Sequence, residues 1–214
     1  MEKLIIANHK MNITNKNQVE KYIKQLSEYK KDLIILPSII YLEKFIQNGF
    51  ICGVQDISKY KSGAYTGETS VKQIKDIGAK YVLIGHLERR KYLKEKPKTL
   101  KQKINLAQKN ELEVIYCVTG KNINEELKIL HDLKEVIIAF EPESSIGGEA
   151  KPNEVEKKIK QIKKIYQGKV LYGGGINENN IEKLNQIKQL DGFLIGKTSI
   201  NPEVLKKIIE VSKS

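Results

Sequence analysis

Four polar side chains of unlike chemistry follow apolar runs in this chain. Asn8 and Lys10 come after Leu4-Ile5-Ile6-Ala7, His86 after Tyr81-Val82-Leu83-Ile84-Gly85, and Glu141 after Val136-Ile137-Ile138-Ala139-Phe140. Glycines cluster in the same kind of place: Ser145-Ile146-Gly147-Gly148 beyond Glu141-Pro142, Gly173-Gly174-Gly175, and Gly196 before Lys197. A carboxylate can act as a general base, an imidazole as an electrophile and an ammonium as a fixed cation. Glycine turns expose backbone N–H groups that cradle phosphate. Together they suit proton abstraction beside a carbonyl on a phosphorylated substrate. Each has a plainer reading alone: a solvent-facing strand-end Glu, a satisfied strand-end His, one lysine among many, an ordinary tight turn. Their shared position at strand ends favours the chemical reading.

The positioning elements follow from periodicity. Apolar runs at residues 4–8, 33–36, 50–55, 81–84, 114–118, 136–140, 170–172 and 192–195 read as strands. Helical spacing predicts helices at 17–29, 41–46, 71–77, 99–108, 124–133, 153–165, 177–187 and 202–211, with Gly78 and Pro152 as stop and start signals. Solidly apolar strands belong to parallel sheets covered on both faces. Eight strand–helix units without a linker predict an α/β chain, one domain over residues 1–214, folded as a trimmed (β/α)8 barrel. A doubly wound open sheet is the alternative, because no sequence period proves closure.

Composition excludes several classes. The chain has 214 residues and a net charge of +12, with charged and apolar fractions of 30% and 40% that fit a globular protein. Of its 38 basic residues only the adjacent Arg89 and Arg90 are arginine, and the lysines are spread along every helical segment. Base readout favours clustered arginine, so no nucleic-acid partner is expected. No apolar run reaches membrane-spanning length and the amino-terminal apolar stretch is too short for a secretory signal, which predicts a cytoplasmic protein without membrane contact. Cys52 and Cys117 lie in apolar stretches without metal-ligand spacing and read as buried free thiols.

Asn8-His9-Lys10-Met11-Asn12, Gly63-Ala64-Tyr65-Thr66-Gly67-Glu68, Ile84-Gly85-His86-Leu87-Glu88-Arg89-Arg90, Phe140-Glu141-Pro142, Tyr172-Gly173-Gly174 and Asp191-Gly192-Phe193-Leu194-Ile195-Gly196 occur in one order along the chain. In that order they resemble the triosephosphate isomerase family, from the first strand to the last. The resemblance implies interconversion of dihydroxyacetone phosphate and D-glyceraldehyde 3-phosphate through an enediolate, with no cofactor and no metal. It implies Glu141 as the proton-transferring base, His86 as a neutral electrophile, Lys10 as the balancing cation, and Asn8 as a hydrogen-bond partner of the substrate oxygen. Glu88 resembles the carboxylate near His86 and Lys10, and Glu95 with Arg90 resembles a buried ion pair. Gly147, Gly175, Gly196 and Lys197 would hold the phosphate, and residues 142–150 would close as a lid. The loop carrying Thr66 implies a homodimer, with a tetramer as the alternative.

Departures concentrate at the lid and its latch. Leu87, Ser144, Gly148, Gly175, Lys197, Gly120 and Asp56 stand where the family usually carries other residues. Weaker lid control is therefore expected, with the Lys197 ammonium joining the cradle. Two other readings stay open: an aldose–ketose isomerase for a larger sugar phosphate, and a non-catalytic basic barrel.

Overall fold

The structure is a computed structural model that describes residues 3–143, 148 and 150–213. Eight parallel strands close into a barrel in chain order: β1 Leu4–Asn8, β2 Ile34–Leu36, β3 Ile51–Val54, β4 Tyr81–Ile84, β5 Glu113–Val118, β6 Ile137–Phe140, β7 Val170–Tyr172 and β8 Gly192–Ile195. Closure is made by β1 on β8, with Leu4 opposite Gly192 and Ile6 opposite Leu194. The doubly wound open sheet is thereby set aside.

Alternation along each strand separates two cores. Ile6, Leu36, Leu83, Ile115, Ala139, Leu171 and Leu194 fill the barrel, while Ile5, Ala7, Val82, Ile138 and Phe193 face the helices. Asn8 shares the inward parity of Ile6, Glu141 that of Ala139, and Gly196 that of Leu194. The interior rows therefore run on into the carboxyl-terminal mouth. Cys117 is buried inside the barrel and Cys52 in the outer core.

The helices are α1 Lys16–Gln25, α2 Leu42–Gln47, α3 Val71–Ile77, α4 Leu87–Tyr92, α5 Pro97–Lys109, α6 Ile123–Lys128, α7 Pro152–Ile165, α8 Ile181–Asn185 and α9 Pro202–Lys213. In α7, Pro152 opens the first turn, and Val155, Ile159 and Ile162 put one buried stripe on the barrel. A reciprocal cap between Ser70 and Gln73 starts α3, and Gly78, at φ 100°, ends it.

Four helices depart from the periodicity. α1 ends at Gln25, and a 3-10 turn, Ser27–Tyr29, takes up the rest of the expected span. Residues 87–92 form a short helix where the sequence reads as a loop. α8 is half the expected length because asparagine side chains take the backbone groups that a helix would use. Asn180 Oδ1 accepts from Asn177 N at 3.0 Å, and its Nδ2 donates to Gly175 O at 2.8 Å. α6 stops at Lys128, and Asp132, at φ 67°, turns the chain back toward β6.

Candidate active site

The chain folds so that β1 delivers Asn8 to the barrel interior and then turns sharply at Lys10. That residue has φ 50°, a left-handed conformation that costs a lysine about 1 kcal/mol or more. Side chains from three strand ends hold it there. Asn8 Oδ1 accepts from Lys10 N at 3.1 Å, while Ser38 Oγ at 3.2 Å and Gln55 Nε2 at 2.8 Å donate to Lys10 O. Gln55 also donates to Leu36 O at 3.1 Å. The donor that Asn8 can offer the cavity is its Nδ2. The Lys10 stem crosses Gly196, where a Cβ would lie 3.3 Å from Lys10 Cε. Its ammonium meets Glu88 Oε1 at 2.6 Å.

His86 caps α4. Its Nδ1 accepts from the Glu88 backbone N–H at 3.3 Å, and the Glu88 carboxylate lies 3.6 Å from the same nitrogen, beyond a good hydrogen bond. A nitrogen that receives an N–H carries a lone pair, so the ring proton sits on Nε2. Nε2 approaches Glu141 Oε1 at 3.2 Å. Glu141 continues β6 through a bond from its N to Val118 O at 2.8 Å, and its Oε2 is buried with no partner among the described residues. Below it lies Cys117, whose thiol is pushed well above its ordinary range by burial first and by the Glu141 carboxylate second.

These side chains share one cavity of about 280 Å³ at the carboxyl-terminal mouth. Asn8, Lys10, His86 and Glu141 line one part of it; Gly148, Gly175, Gly196 and Lys197 line the rest. Catalytic centres of (β/α)8 barrels lie at this end. Leu87 joins the wall, and Glu88 reaches the cavity through Lys10.

The sequence profile of the family described as "Triosephosphate isomerase" matches residues 3–212. The chain belongs to the triosephosphate isomerase family. Relatives carrying that name include a protein of Mesomycoplasma hyopneumoniae (strain 232), 36% identical with 98% of this chain and 99% of the relative covered. A protein of Mycoplasma genitalium is 31% identical over 98% of this chain and 97% of the relative. One from Buchnera aphidicola subsp. Cinara cedri is 32% identical over 98% of each.

Within this triosephosphate isomerase framework, one pairing inferred from the motif is corrected. Glu95 does not pair with Arg90. Its Oε1 meets Lys103 Nζ at 2.5 Å and Arg89 Nη2 at 3.2 Å, and Asp56 Oδ2 meets the same two cations at 2.5 and 2.6 Å. Successive helix residues point about 100° apart. Arg89 therefore faces α5 while Arg90 turns inward, donating to Gly85 O at 2.6 Å, Cys117 O at 2.7 Å and Tyr116 OH at 3.1 Å. Burial raises the Asp56 carboxyl to about 6. At Glu95 burial acts in the same direction, but the Lys103 hydrogen bond and the cations outweigh it and hold the carboxyl low.

Gly175 sits at φ 55°, and a Cβ there would lie 2.2 Å from Gly148 O. Only glycine fits this close backbone approach. Gly147 and Ser144 lie outside the described residues. Lys197 starts a short 3-10 turn, Lys197–Ile200, at the cavity wall. Thr66 is exposed on the loop after β3 and does not line the cavity. Sequence reading missed Ser38 and Gln55. Gln55 carries the same signal as the others, a polar residue ending an apolar run, but reads as the last residue of the strand at 50–55.

Proposed function

We propose that this chain interconverts dihydroxyacetone phosphate and D-glyceraldehyde 3-phosphate. Glu141 takes the proton from the hydroxyl-bearing carbon beside the carbonyl, the C–H electrons pass into an enediolate, and the protonated Glu141 returns the proton to the neighbouring carbon. His86 Nε2–H donates in turn to the two substrate oxygens, and its neutral state suits a donor facing a developing oxyanion. The Lys10 ammonium offsets that charge while Glu88 orients the ammonium, and Asn8 Nδ2 donates to a substrate oxygen. Backbone N–H groups at Gly175 and Gly196, with Lys197, hold the phosphate.

The reading rests most on the 3.2 Å approach of His86 Nε2 to Glu141 Oε1 inside a cavity that Lys10 also lines. A volume of about 280 Å³ favours a three-carbon phosphate over a larger sugar phosphate. A coupled assay with dihydroxyacetone phosphate tests it. Turnover should be present and should fall by about 10²–10⁴-fold in Glu141→Gln. An unaffected Glu141→Gln rate, or turnover confined to five-carbon phosphates, defeats the proposal.

The working unit is proposed to be a homodimer in the cytoplasm; among the described residues no helix is long and apolar enough to cross a membrane. Large apolar side chains stand exposed in the segments after four adjacent strands: Met11 at 85%, Ile40 at 76%, Tyr65, which stacks on Tyr60 at 3.7 Å, and Leu93. Exposed apolar side chains in the segments after β1 to β4 support association through the Thr66 loop. Sedimentation should give twice the chain mass; a monomer rejects the dimer and a fourfold mass selects the tetramer.

A further inference from the structure

A second cavity lies at the opposite end of the barrel from Glu141. It measures about 910 Å³ and opens below the first residues of the strands. Its floor is Leu4, Ile34, Ile51 and Tyr81, part of the interior barrel core and its partly buried edge. Lysines stand around this apolar floor, and the local acids are already engaged. Asp191 accepts from Lys163 Nζ at 2.6 Å and from Val170 N at 2.7 Å, and Asp32 pairs with Lys213 at 3.0 Å.

Lysines near helix C-termini have an ordinary role, since helix carbonyls point toward this end of a parallel barrel. Lys3 performs it, donating to Ile187 O at 2.9 Å and to Leu190 O. Lys31, Lys169 and Lys188 do not. Their side chains line the cavity, and among the described residues they make no hydrogen bond or ion pair. Lys31, Lys169 and Lys188 are exposed at this cavity, so three cations without a counter-ion among the described residues border one apolar floor. A chain of linked phosphates carries charge at several points and can meet more than one of these lysines at once. The apolar floor, with the Tyr81 ring in it, would receive the flat base of a nucleotide.

We propose that the amino-terminal mouth of the barrel is a binding site for anions carrying two or more linked phosphates, held by Lys31, Lys169 and Lys188. Free oligophosphate and the phosphates of a nucleotide share this chemistry, and Tyr81 and Ile51 discriminate between them.

The test is calorimetric titration of the full chain, with saturating glycerol 3-phosphate occupying the catalytic cavity. The probes are inorganic tripolyphosphate, adenosine triphosphate and inorganic phosphate. The expected result is saturable binding of both polyanions and none of inorganic phosphate, with affinity about tenfold lower in Lys169→Glu/Lys188→Glu. Isomerase turnover should be unchanged in that variant, which also shows that it is folded. Lys72→Glu/Lys98→Glu changes the net charge equally on exposed positions away from the cavity and should leave the affinity intact. Stronger binding of the nucleotide than of tripolyphosphate supports a contribution from the apolar floor. No saturable binding, or equal loss in both double variants, overturns the site and leaves only the general attraction of a chain with net charge +12.

Discussion

His9 lies between two residues of the proposed catalytic centre, yet its ring faces away from the cavity into the outer core. It is 1% exposed, its centroid is 4.6 Å from Tyr22 and 5.5 Å from Phe45 in edge-on contacts, and neither ring nitrogen has a partner among the described residues. The facing hydroxyl of Tyr22 is spent on Ser199 O at 2.8 Å, and the neighbouring Lys10 ammonium is engaged by Glu88. Burial alone lowers the His9 pKa to about 3, against 6.5 in the unfolded chain. Between these values the unfolded chain binds a proton that the native chain refuses, so native stability is lost as pH falls below 6.5. Linkage puts the loss at about 2 kcal/mol between about pH 7.5 and about pH 5 from this one group. His9→Phe keeps the edge-on packing and removes the titration. Urea unfolding followed by far-ultraviolet dichroism, at fixed protein concentration because the proposed dimer would couple stability to concentration, should give a difference between parent and variant that grows by about 2 kcal/mol over that range. A difference that stays flat refutes the assignment, since all other titrating groups cancel in the subtraction.

Gln55→Ala removes the donor to the Lys10 and Leu36 carbonyls, so kcat/KM should fall about tenfold with the dichroism spectrum unchanged; an unaltered kcat/KM means that Lys10 keeps its backbone without Gln55. Lys197→Gly should raise KM roughly fivefold with kcat near the parent value, and an unchanged KM removes Lys197 from the cradle. Gly175→Ala pushes a Cβ onto Gly148 O, so the chain at Gly148 should seat poorly over the cavity and the share of phosphate elimination relative to isomerisation should rise; a product ratio equal to the parent's contradicts that contact. Asp56 titrates in the opposite sense to His9. Its carboxyl is raised to about 6 when folded, so its contribution to stability is complete below the unfolded value of 3.8 and is lost as pH rises through 6. Parent stability relative to Asp56→Asn should therefore increase from pH 7 to pH 5, and a constant difference in urea unfolding rejects the shift.

Much of the candidate site is legible in the sequence because a parallel strand ends where its apolar run ends. Asn8, His86 and Glu141 each stand just past such an end, and closure of the barrel brings all of those ends to one mouth. Closure itself was not legible: the pairing of Leu4 with Gly192 joins residues at opposite ends of the chain, and no local pattern encodes a partner that distant. Helix ends were misread wherever side chains compete for the backbone, as Asn177 and Asn180 do before α8.

By itself the sequence determined which chemical groups were present and which strand each would follow, since apolar periodicity and glycine placement are local properties. Only the tertiary structure decided what those groups touch. Glu95 meets Arg89 and Lys103, Lys10 is bent by Gln55, and His86 Nε2 lies 3.2 Å from Glu141. These contacts depend on side-chain direction across separate elements, which sequence spacing does not carry.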